Sequence, residues 1–146
     1  MKSIPNKTLG YWATTAGIAF VFLFGGAADV AHPPAVTAFM AHLGYPAYFA
    51  PLIGVWKVLG AVALLAPRFP RLKEWAYAGI FFDLTGASIS HAASGDGTSN
   101  VVPPLLMAAV AIASWALRPE SRRLGVIVTD ANKDRAPFRA TANITA

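Results

Sequence analysis

The sequence contains no cysteine. Disulfides, thiol redox motifs, Cys-ligated zinc and Cys-ligated iron–sulfur clusters are thereby excluded together. Charge is scarce as well. Only 13% of the 146 residues are Asp, Glu, Lys or Arg, against roughly 25% in an average soluble domain. A phosphate-binding Gly loop and a nucleophile–base motif are also missing, so no local pattern points to nucleotide binding or covalent catalysis. The net charge of +5 would by itself admit a nucleic-acid partner. The basic residues, however, are not interleaved with stacking aromatics; they sit between apolar segments, as in a membrane protein. No nucleic acid is expected as a partner; a lipid bilayer is.

What the chain has instead is apolar length: 55% of its residues are hydrophobic. Four stretches, about 9–28, 47–66, 74–93 and 101–117, are each long enough to span or nearly span a bilayer. A signal peptide is the rival reading of the first stretch, but it is longer than a usual apolar signal core and three more stretches follow. Between the first two spans, Val36, Phe39, Met40 and Leu43 recur on one helical face. Pro34 suits a first turn, and Gly44 with Pro46 suits an end. This segment is too short to cross and is expected to lie in the interface as a small helix, with Thr37 and His42 facing outward. Pro103 and Pro104 are expected in the first turn of the last span. The fold class is therefore all-α: a four-helix transmembrane bundle with a short interfacial helix between spans 1 and 2. Residues 1–117 form one membrane domain, and 118–146 a mostly flexible cytoplasmic tail.

Orientation follows from charge. Lys2, Lys7, Arg68, Arg71, Lys73, Arg118, Arg122 and Arg123 fall on one side of a four-span layout, while residues 30–45 and 94–100 contain no Lys or Arg. The positive-inside rule then places both termini in the cytoplasm.

Two charges lie inside the spans. Counted from the basic turn at 67–73, Lys57 and Asp83 are each about ten residues deep, or about 15 Å at 1.5 Å per residue. That is the middle of a hydrocarbon core about 30 Å thick. Gly54 and Ala61 flank Lys57, and Gly79, Gly86, Ala87 and Ser90 share a face with Asp83. Small residues let helices approach, so the two side chains are expected to be neighbours. The pair reads either as a structural ion pair or as a proton-active or ligand-binding pair. A second group, Asp29, His32, His42 and His91, with Asp96, gathers at the opposite mouth. A contact between Asp29 and His91 is expected there. Three histidines also raise metal or haem, but no two sit on one helical turn, and no metal site is assigned. Gly25 and Gly26 read as a close helix-packing point.

The runs HLGYPAYF, GVWKVLGAVALL and RLKEWAYAGIFFDLTGA, with Ser90-His91, resemble the DoxX-like family of small bacterial membrane proteins. The resemblance covers roughly residues 11–117. It implies a four-helix membrane bundle in the bacterial inner membrane and a redox or quinone-linked setting, and it assigns no catalytic residue. Two functions are weighed, the first ahead of the second. One is an accessory or scaffold subunit with a membrane redox partner or self-association. The other is a binder or carrier of a small molecule, a quinone or a proton-coupled solute, using Lys57 and Asp83. An enzyme with that pair as acid and base ranks behind both, since no orienting third group is evident.

Overall fold

The computed structural model describes residues 6–119 and 122–124. They form five helices and, among the described residues, no strand: α1 (Asn6–Ala31), α2 (Pro34–His42), α3 (Phe49–Leu65), α4 (Pro70–Ala93) and α5 (Thr98–Leu117). The fold is all-α, and α1 and α5 are long and apolar enough to cross a membrane. Apart from the first residues after α5, the expected flexible tail lies outside the described residues.

Local sequence sets the helix ends. His32, at φ +52°, closes α1 just before Pro33-Pro34, where a following proline disfavours further helix. Pro34 then opens α2 at the position where a missing N–H does no harm. The α2 end is a Schellman motif: Gly44, at φ +81°, donates to Ala41 O, and Tyr45 N–H donates to Met40 O. The α4 end repeats it. Gly95, at φ +77°, donates to Ala92 O, and Asp96 N–H donates to His91 O. Both motifs satisfy terminal carbonyls and need a residue tolerant of left-handed backbone.

Two helices start earlier than their apolar runs. α4 begins at Pro70, so Arg71 and Lys73 belong to its first turn. α5 begins at Thr98 after Gly97, which puts Pro103 and Pro104 inside the helix rather than in its first turn. The carbonyls of Ser99 and Asn100 consequently lack their usual N–H donors, a loss limited to one turn near the helix start.

α1 packs most closely against α3, and α4 against α5; α1 also meets α5, while α3 and α4 touch much more sparingly. The α1–α3 crossing is tight because two glycines meet there. A Cβ on Gly26 would lie 2.8 Å from Gly54 O, and one on Gly54 would lie 2.7 Å from Gly26 O. Gly25 meets nothing, so only the second glycine of the pair is the packing point. Ile18 and Phe22 of α1, Leu64 of α3, Tyr77, Ile80 and Leu84 of α4, and Ala108 and Ala111 of α5 form the shared core. The outward faces are apolar too: Phe20, Phe24, Leu52, Phe82, Ile89, Leu106 and Ile112 are all exposed.

One end of the molecule is basic. Lys73 is buried, and its Nζ donates to Ala63 O at 3.0 Å, to Leu64 O at 2.7 Å and to Ala66 O. It thereby caps α3, whose last carbonyls have no partner within the helix. Arg122 adds a bond to Leu64 O at 3.2 Å and lies over the Trp12 ring. Arg118 pairs with Glu74 at 2.8 Å, and Arg123 donates to Ala116 O at the end of α5. Cations at helix C-termini also oppose the negative end of the macrodipole.

Candidate functional site

Because α3 and α4 are splayed, a cavity of about 590 Å³ opens between them, with α2 across one end. α2 and the turn after it supply Phe39, Met40 and Leu43; the interfacial segment thus covers the mouth of the cavity, with Met40 buried and Thr37 and His42 exposed. α3 supplies Phe49, Ile53, Trp56 and Lys57, and α4 supplies Trp75, Gly79, Phe82, Asp83, Gly86, Ala87 and His91. Trp56, Phe82 and Trp75 are 62%, 69% and 79% exposed, so the cavity opens sideways onto the apolar surface of the molecule.

The small residues of α4 make this space. A Cβ at Gly79 or Gly86 would meet nothing within 4 Å. The stripe expected to draw α4 against α3 instead keeps the wall recessed. Close approach occurs on the other side of α3, at Gly54, against α1.

That geometry decides where Lys57 goes. Its Nζ donates to Asp29 Oδ2 at 2.9 Å, with both side chains largely buried. Gly26 and Gly54 bring the α1 and α3 backbones together just where these side chains leave them, whereas the cavity separates α3 from α4. The direct partner of Lys57 is therefore Asp29, not Asp83. Asp83 lines the same cavity as Lys57, and its carboxyl has no hydrogen bond or ion pair among the described residues.

The end of the cavity covered by α2 is held by Asp96. His91 Nδ1 lies 2.5 Å from Asp96 Oδ2, and His42 Nε2 lies 2.7 Å from Oδ1. Hydrogen bonds from His91 and then His42 hold the Asp96 carboxyl below its ordinary range. This replaces the expected Asp29–His91 contact: Asp29 is taken by Lys57, and the turn after α4 folds Asp96 back over His91. Tyr45 OH meets Ser90 Oγ at 2.6 Å, so α2 and its turn are fastened to α4 at two points. His32 stands apart, its Nε2 buried without a hydrogen-bond partner among the described residues. No group of three or more His, Asp or Glu side chains that could hold a metal ion occurs among them.

A further polar layer was not read from the sequence. Ser114 Oγ lies 2.7 Å from Thr15 Oγ1 and 2.8 Å from Tyr77 OH, all three residues being buried. Isolated hydroxyls in apolar helices were the available signal, since each needs a partner when buried.

The model of the DoxX-like family matches residues 13–114. The chain belongs to the DoxX-like family. The matched span contains all of α2, α3 and α4 and therefore the whole cavity lining. With its two long apolar helices, family membership marks the DoxX-like chain as a membrane protein. No curated protein and no solved structure matches it.

Proposed function

We propose that this DoxX-like protein is a multi-pass protein of the bacterial inner membrane that binds a small lipophilic molecule in the cavity between α2, α3 and α4. The observation that carries the reading is the cavity itself: about 590 Å³, in the range of small-molecule sites, with an aromatic wall and Lys57, Asp83 and His91 in its lining. A merely structural helix packing would close such a space, since interiors are packed densely. Its sideways opening suits a ligand that arrives from the hydrocarbon phase. The cavity favours a binder or carrier over a purely accessory subunit; an accessory role beside a redox or quinone-linked partner would draw on the exposed Trp56 and Trp75 surface instead.

In this reading the chain crosses the membrane four times. α3, with 17 residues, is shorter than α1 and α5 but apolar apart from Lys57, and α4 is long enough but carries Arg71, Lys73, Glu74 and Asp83 among its apolar residues. Both have exposed apolar faces like those of α1 and α5, as lipid contact demands. The basic end then faces the cytoplasm, together with both termini.

Binding of the neutral fluorescent probe N-phenyl-1-naphthylamine tests the reading, using the full chain in phosphatidylcholine nanodiscs. The double substitution Gly79→Leu and Gly86→Leu fills the cavity where no atom stands in the way. Saturable binding above that of empty discs is expected, with at least about tenfold weaker affinity, 1.4 kcal/mol, in the filled variant at unchanged thermal stability. Equal binding by the filled variant removes the cavity from the function.

A further inference from the structure

The charges around the cavity do not balance. Lys57 is already paired with Asp29 at 2.9 Å, so the two together are neutral. Asp83 stands in the cavity wall with no direct partner among the described residues. His91 is turned onto Asp96 at the mouth. The unmatched group facing the cavity is thus a carboxyl, near the middle of α4. A carboxylate in a membrane interior is costly without a partner, and the only Lys or Arg among the described lining residues is bonded to Asp29.

The remaining wall has a matching chemistry. Tyr45, Phe49, Trp56, Trp75 and Phe82 all line the cavity. Aromatic faces attract organic cations, most strongly where water is excluded. An anionic ligand would meet the Asp83 carboxyl in the wall and would have to compete with Asp29 for Lys57. A neutral ligand would leave the carboxyl without a partner.

We infer that the cavity is a site for a lipophilic organic cation, a hydrophobic amine or quaternary ammonium or phosphonium compound, with Asp83 as its counter-charge and the aromatic wall around its apolar body. This rests on the cavity being a ligand site at all, and it specifies the ligand's charge. The recessed surface at Gly79 and Gly86 leaves room for a bulky head beside Asp83. The lateral opening lets such a compound enter from the membrane with its apolar part leading.

Tetraphenylphosphonium serves as the probe, titrated calorimetrically into the full chain in phosphatidylcholine nanodiscs, with empty discs subtracted. Saturable binding is expected. Asp83→Asn should weaken it by at least about tenfold, and Asp83→Glu should retain most of it. N-phenyl-1-naphthylamine should bind wild type and both variants alike. In the wild type, tetraphenylphosphonium should displace the neutral probe and tetraphenylborate should not, a comparison that needs no variant to fold. If the neutral probe binds saturably but the cation does not, or Asp83→Asn leaves cation affinity unchanged, or tetraphenylborate competes equally, the cationic assignment falls and the cavity reading stands. If neither probe binds saturably, the cavity reading itself falls.

Discussion

Lys57 is the only charged residue in α3, and its depth was legible from the sequence while its neighbour was not. Counting residues from the basic turn fixes a height along the helix axis; it does not fix which of the adjacent helices a side chain leans toward. Asp29 lies on α1 and Asp83 on α4, and the choice between them falls to glycines: Gly26 and Gly54 bring α1 against α3, whereas the cavity separates α3 from α4. The consequence is measurable in a double-mutant cycle. Lys57→Met and Asp29→Leu each leave a largely buried charge unpaired and are expected to destabilise the protein by about 3 kcal/mol. The double substitution should recover much of the loss. The same cycle run on Lys57 and Asp83 should give the smaller coupling energy. Unfolding in mixed detergent micelles reads both, and a larger coupling to Asp83 would overturn the assigned pairing.

At the scale of the element, glycines of one composition class do opposite things. Gly26 and Gly54 bring two backbones into contact, while Gly79 and Gly86 hold a wall away from its neighbour. Sequence marks all four as small residues on helical faces; it cannot distinguish approach from vacancy, because that depends on what the opposite helix presents. Gly26→Ala or Gly54→Ala would place a methyl within 2.7–2.9 Å of the partner helix and should cost about 1–3 kcal/mol by overpacking. Gly79→Ala should instead stabilise by about 0.5–1 kcal/mol, the helix-interior preference of alanine over glycine, and thermal unfolding compares the two directly. The helix starts at Pro70 and Thr98 were illegible for a different reason. Their first turns are polar, so hydropathy ends where the apolar run ends, whereas hydrogen bonding continues into the aqueous margin. Lys73 shows the same limit: read as part of a basic turn, it is a buried cap on the neighbouring helix.

At the scale of the whole molecule, the described Lys and Arg residues other than Lys57 gather at one end, and Asp96 with the three histidines lies toward the other. That division was legible in the sequence because alternate connections lack basic residues altogether. Two layouts compete for it. If only α1 and α5 crossed the bilayer, everything from His32 to Gly97 would share one face, and Arg68 and Arg71 would sit across the membrane from Arg118 and Arg122. If α3 and α4 cross as well, every one of these cations lies on the cytoplasmic side. α3, with 17 residues, rises about 25 Å at 1.5 Å per residue, enough for a hydrocarbon core about 30 Å thick if the bilayer thins locally or flanking residues reach to the interface. Paired reporter fusions separate the layouts. Alkaline phosphatase should be active when fused after Ala38 and after Gly97, and inactive after Pro70; a fluorescent protein that matures only in the cytoplasm should show the reverse. The decisive position is Pro70. A phosphatase signal there equal to that at Ala38 would mean that α3 does not cross, and the cavity would then open to the interface rather than to the hydrocarbon phase.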